Sequence, residues 1–215
     1  GDAYVVVPKA IDSTQAPSWL PTAEVARVNA LGNVVRGRSI LDSDLTHDLA
    51  ACYMESPWVE QVLHIRRAYP NRLDVALVIR KPFAAVRRPS GPSIVLDRFG
   101  MRLPVSATIT GLPLLEGVAS SAPAPGRRWE DVRVLDALRV LERYRTLTEE
   151  LDAPGLQAAR MVVKKWSRPD ARPVVEIVTS KGFPIVWGVD LPNGEATITG
   201  PSADEKLLRL ARALP

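Results

Sequence analysis

Apolar and polar positions change period several times along this chain, and the changes divide it into elements. From Leu73 to Ile79 the apolar residues Leu73, Val75, Leu77 and Ile79 stand two apart beside Asp74 and Arg80, which predicts a half-buried strand. A second strand is expected just before it, over Val59 to Ile65, with the turn "RRAYPNR" fixed by Pro70 between the two. Upstream, "EVARVNALGN" reads as a strand carrying Val25 and Val28 into a Gly32-Asn33 turn. "SDLTHDLAACYME" then reads as a helix with Leu45, Leu49 and Cys52 on one face and Ser43 or Asp44 as its cap. The predicted order is strand, helix, strand, strand.

Pro82 ends this pairing because it lacks the amide proton that a ladder needs. Short strands are expected at Ser93 to Leu96 and Met101 to Leu103, around a "DRFG" turn in which Gly100 takes a positive φ. A small-residue, proline-rich link covers 119–128. Beyond it Val132, Leu135, Leu138, Leu141 and Tyr144 mark the apolar face of a long helix. Further strands are predicted at Ala159 to Trp166, Val174 to Thr179, Phe183 to Val189 and Ala196 to Thr199, with Asn193-Gly194 as a hairpin turn. The last segment has a Ser202 to Glu205 capping box and places Leu207, Leu210, Ala211 and Leu214 on one helical face. The fold class is therefore α+β: an extended arm over 1–20 containing the apolar "AYVVV", a first module over 21–90, and a sheet domain with flanking helices over 91–215. Trp19 is placed to staple the arm to the first module.

Composition adds little to this picture and removes much. With 46% hydrophobic and 24% charged residues among 215, the chain has the balance of a folded globular protein. One cysteine, Cys52, permits no internal disulfide and reads as a small buried residue. His47 and His64 share no i,i+4 face and have no compact carboxylate partners, so no metal site or cofactor is expected. Asp44 and Asp48 flank His47, but carboxylates at the start of a helix are expected from its dipole alone. Serine-nucleophile motifs and phosphate-cradling glycine loops are missing, and no enzymatic activity is predicted.

Charge is less even. Nine Lys or Arg residues (66, 67, 72, 80, 81, 87, 88, 98, 102) face three acids (60, 74, 97) between residues 60 and 102, whereas the net charge of the whole chain is only +4. Such a stretch steers anionic partners, and Arg66, Arg67, Arg87 and Arg88 are the candidates to meet an acidic protein segment or a membrane surface. A nucleic-acid reader would interleave exposed aromatics, and only Tyr69 and Phe83 are on offer; no nucleic acid is expected.

A set of short motifs runs in order along the chain: Trp58-Val59, Ile65-Arg66-Arg67 with Pro70, Leu73-x-Val75, and Pro82 with Ala84. Then come Asp97 and Gly100 in "VLDRFGMRLP", Leu112, Pro113 and Gly117 in "LPLLEG", and Gly182, Gly188 and Lys206 toward the end. This ordered set resembles the FtsQ/DivIB family of bacterial cell-division proteins. Ile79 stands where the family usually has glutamate, and the link from Gly188 to the last helix is longer than is common. The resemblance implies that the first module is a POTRA-like domain and the second the family's beta domain. Trp58, Pro70, Asp97, Gly100 and Gly188 would be structural residues. It also implies a non-catalytic scaffold, single-pass in the inner membrane through a helix ahead of Gly1, facing the periplasm or cell exterior. Its partners would be bitopic division proteins such as FtsB and FtsL. In the family the strands that dock them follow the last helix, a position without counterpart in these residues. Strand addition to a sheet edge is the expected mode, with Ile185 and Trp187 of "PIVWG" on the nearest candidate strand. The competing readings are a POTRA-type chaperone module of outer-membrane assembly or secretion and, behind it, a basic nucleic-acid-binding domain.

Overall fold

The computed structural model describes residues 16–105, 111–150, 156–164, 174–188, 205 and 209. The chain divides into two compact units, Gly1–Lys81 and Pro82–Pro215.

In the first unit the order is α1 (Thr22–Leu31), a 3-10 turn (Gly32–Val35), α2 (Leu45–Met54), β1 (Val59–Ala68) and β2 (Arg72–Ile79). The strand expected around Val25 and Val28 is a helix. Val25 and Val28 are buried three residues apart, which is the spacing of one helix face, and Ala23, Ala26 and Ala30 around them favour helix. The pairing expected downstream is present: β1 and β2 run antiparallel from Val59↔Ile79 to Ala68↔Arg72, and α2 lies against β1. β1 is two residues longer than β2 because two bulges, at Val59/Gln61 and Val62/His64, put its extra residues opposite a continuous β2. The Tyr69–Pro70 peptide in the connecting turn is cis.

On α2 the buried face is Leu45, Leu49 and Tyr53, each one helical turn from the next. Cys52, expected inside, is half-buried, with its thiol 3.6 Å from the Leu31 carbonyl oxygen. Asp44 stands at the N-cap without a side-chain capping bond, while the Asp42 carboxylate accepts the Asp44 amide at 3.1 Å. Trp58 is fully buried and stacks on Trp19 with ring centroids 6.5 Å apart, so Trp19 makes the expected staple.

The second unit contains β3 (Ala84–Val86), β4 (Ile94–Leu96), β5 (Leu114–Glu116), α3 (Val132–Glu150), β6 (Ala158–Lys164), β7 (Val174–Thr179) and β8 (Pro184–Gly188). Six strands form one mixed sheet in the order β4-β3-β5-β6-β7-β8, parallel at β3/β5 and β5/β6 and antiparallel elsewhere. β3, which lies within the 21–90 range read as the first module, pairs with β4 and β5 of this sheet. Met101 and Arg102 form only isolated bridges, to Arg128 and Leu96. The strand expected at Ala196 to Thr199, the Asn193-Gly194 turn and the apolar face of the last helix lie outside the described residues. Glu205 and Arg209 are helical and form an i,i+4 ion pair at 3.7 Å.

α3 buries Val134, Ala137, Leu138, Val140, Leu141, Tyr144 and Thr148. Val132, expected on that face, is 62% exposed. Positions three apart drift by about 60° per step around a helix of 3.6 residues per turn, so a stripe drawn at Val132, Leu135, Leu138, Leu141 and Tyr144 cannot hold one face from end to end. The sheet supplies alternate residues, Leu115, Met161, Val163, Val175, Ile177, Ile185 and Trp187, to the same core. Gly117 is what allows β5 and β6 to approach at that point: its φ is +83°, and a Cβ built there would sit 2.3 Å from the Val163 carbonyl oxygen.

Candidate docking surface

The residues read from sequence as partner contacts separate into two groups once placed. The basic stretch is divided between the units: Arg66 and Arg67 belong to the first, Arg87 and Arg88 to the second. Arg66 is exposed on β1 beside the Asp74 register position of β2. Arg67 is turned inward to the chain itself. Its Nη2 donates to the carbonyl oxygens of Asp42 (2.6 Å) and Ser43 (3.2 Å), tying β1 to the segment that leads into α2.

That segment is held again by Arg38, whose Nε and Nη2 donate to Asp42 (2.9 and 2.7 Å) and whose Nη1 donates to Asp48 (2.7 Å). Hydrogen bonds from Arg38, then from the Asp44 amide, hold the Asp42 carboxyl below its usual range. Asp48, one of the carboxylates beside His47, is thus spent on this lock. Among the described residues no group of three or more His, Cys, Asp or Glu could hold a metal ion.

In the second unit Arg87 lies 3.1 Å from Glu116, and Arg160 reaches the other oxygen of the same carboxylate at 3.5 Å. Glu116 Oε1 makes no hydrogen bond of good geometry, so the Arg87 contact is an ion pair rather than a directed bond. Arg88 is exposed in the β3–β4 connection. Of the two aromatics of the basic stretch, Tyr69 is exposed and Phe83 lies under the guanidinium of Arg145, 4.4 Å from its ring centroid.

Ile185 and Trp187 are core residues. Both are buried, and Trp187 meets Tyr144 edge-on at 5.7 Å. The strand period decides this: β8 pairs with β7 through Glu176↔Val186 and Ile177↔Ile185, so Ile185 shares the inward face with Ile177. The outward side chain is Val186, 62% exposed, with Phe183 exposed just ahead of the strand. Of the residues on this strand, the two named from sequence, Ile185 and Trp187, face the core, and Val186 between them is exposed. Pairing with β7 could have shown this, since the apolar Ile177 fixes which side is in.

The residues assigned structural roles have concrete surroundings. Trp58 carries a ring stack, Pro70 sits in the β1–β2 turn, and Gly188 closes β8 opposite Val175. Asp97 is buried, and its Oδ1 accepts the amides of Phe99 (2.9 Å) and Met101 (2.7 Å). Gly100 completes that turn at φ +81°, where a Cβ would lie 2.9 Å from Leu135 of α3. The proline-rich link of 119–128 is strapped onto the same turn. Arg102 donates to the Pro123 carbonyl oxygen (2.5 Å), Arg128 Nε to that of Phe99 (3.0 Å), and the Trp129 amide to that of Gly100 (2.8 Å).

No helix among the described residues is long and apolar enough to cross a membrane. No protein-family model and no curated protein sequence matches this chain.

Proposed function

We propose that this chain is the extracytoplasmic part of a single-pass bacterial cell-division scaffold of FtsQ/DivIB type, which holds FtsB- and FtsL-like proteins and carries out no chemistry. The observation that supports this reading is the antiparallel β1–β2 pair against α2. It stands where the motif residues Trp58-Val59, Arg66-Arg67, Pro70 and Leu73-x-Val75 fall in order, ahead of the Asp97–Gly100 turn.

Strand addition is the proposed mode. β8 is the last strand of the described sheet, so a partner segment would bond to its outer main chain. Val186 and Phe183 would then be the side chains it meets, while Ile185 and Trp187 hold the strand from beneath. Arg67 is committed internally, Arg87 is ion-paired and Arg102 is bonded to the Pro123 carbonyl oxygen, which weakens a nucleic-acid reading of the stretch. A fluorescent fusion of the full-length gene product in its native cells tests the role: a band at the division site is expected. Uniform membrane or cytosolic fluorescence through the cell cycle rejects it.

A further inference from the structure

The turn over Asp97 to Gly100 does more than connect strands. Phe99 is 44% exposed at its tip, a large aromatic side chain presented to solvent on a backbone fixed by two amide hydrogen bonds that Asp97 accepts and by Gly100 packing on α3. Arg98 lies over the Phe99 ring at 4.5 Å, and Arg128 bonds the Phe99 carbonyl oxygen from the opposing strap. Arg128 also lines a cleft of about 360 Å³ whose other walls include Ser120, Pro123, Trp129 and Asp131. Within it the Trp129 indole N–H donates to Ser120 Oγ (2.9 Å), and Asp131 is bidentate with Arg133 (3.0 and 2.8 Å).

An exposed aromatic bracketed by guanidiniums on a rigid turn has the composition and preorganisation of an interface hot spot. Asp131 is paired with Arg133, and the buried Asp97 and exposed Glu130 are two acids against the exposed Arg98, Arg127 and Arg128, a local excess of one positive charge. The balance favours a negatively charged occupant.

We infer that the Arg98–Phe99–Arg128 surface of the second unit docks an acidic segment of a partner protein, with a carboxylate side chain on the arginines and an adjacent apolar side chain on Phe99. The inference does not depend on the division role or on β8. It is tested with the full chain, isotopically labelled, and a capped hexapeptide of alternating Glu and Leu. Amide shifts centred on residues 98–100 and 128–131, together with the Trp129 indole, are expected. Arg128→Glu should weaken binding at least tenfold and Phe99→Ala several-fold, while Arg139→Glu on α3 leaves it unchanged. Three outcomes overturn the inference: no shifts at millimolar peptide, shifts spread equally over Arg66 and Arg88, or equal binding of the Glu–Leu hexapeptide by wild type and Phe99→Ala. Tighter binding of a short DNA duplex at the same residues would assign the surface to nucleic acid and likewise overturn it.

Discussion

Tyr53 of α2 and Tyr144 of α3 are both fully buried, and burial pushes both hydroxyls up to about 12, yet their polar atoms are treated differently. Tyr144 donates to the Leu156 carbonyl oxygen and packs against Trp187. Tyr53 has no hydrogen-bond partner among the described residues, and neither has the indole N–H of Trp58. The second unit has a six-stranded sheet and a nineteen-residue helix with which to close its core. The first has two strands and ten-residue helices, and it supplements them with the Arg38–Asp42–Asp48 and Arg67 ties on the segment before α2. The unpaired Tyr53 hydroxyl and Trp58 indole N–H both belong to large aromatics that fill the smaller core.

If the second unit rests on close packing between sheet and helix, its inward β8 side chains should dominate its stability. Trp187→Ala is expected to cost about 3–5 kcal/mol, whereas Val186→Ala, on the exposed side of the same strand, should stay within about 0.5 kcal/mol in denaturant unfolding. Equal effects would show that Trp187 does not face the core. Such a result would also reopen it as a partner residue.

Close backbone approach gives the next test. Gly117→Ala forces a Cβ against the Val163 carbonyl at a positive φ, for which we expect about 2 kcal/mol or more of destabilisation. Gly37 in the first unit has the same sign of φ, +85°, but nothing within 4 Å of a built Cβ. Gly37→Ala should therefore cost only about 1 kcal/mol, from the backbone conformation alone. Thermal midpoints of the two variants separate steric approach from conformational strain.

Acid should also distinguish the units. Asp131 accepts from Arg133 and is held at about 2, below its ordinary 3.8. A carboxyl lowered on folding adds stability at pH above its unfolded value, and that stability is lost as pH falls from about 4 through 2. The loss from Asp131 is expected to be of the order of 1–2 kcal/mol, and Asp131→Asn should remove that part of the pH dependence. Asp42 shifts in the same direction on the surface of the first unit, and salt should screen its share more strongly. Unfolding curves at pH 6 and 3, at low and high salt, check both.

The elements with long, regular periodicity were legible in sequence. β7 falls on the predicted Val174 to Thr179, β2 within a residue of its prediction, and α3 over most of its length. What was not legible was short or ambiguous. β3 and β5 have three residues each, too few to show a period, and they are strands because neighbours complete their ladders. α1 was misread because valine favours strands on average, while its spacing of three belongs to a helix. At the candidate surface the charge was visible, but commitment was not. That Arg67 bonds two carbonyl oxygens 24 and 25 residues earlier depends on β1 returning beside that segment.

The two buried tyrosine hydroxyls bear most directly on the contrast between the cores. Tyr144→Phe removes a donor and leaves the Leu156 carbonyl oxygen short of a partner in a buried site, which should cost about 1–2 kcal/mol. Tyr53→Phe removes a hydroxyl that makes no bond to any described residue and keeps the ring that fills the core. Its desolvation is relieved and no partner is stranded, so the change should be neutral or stabilising by up to about 1 kcal/mol. Because the two substitutions delete the same atom from equally buried rings, their difference cancels what the oxygen's volume contributes. What remains is the hydrogen bond itself. A loss at Tyr53 equal to that at Tyr144 would mean that the Tyr53 hydroxyl is paired in solution, and the two cores would then differ in size alone.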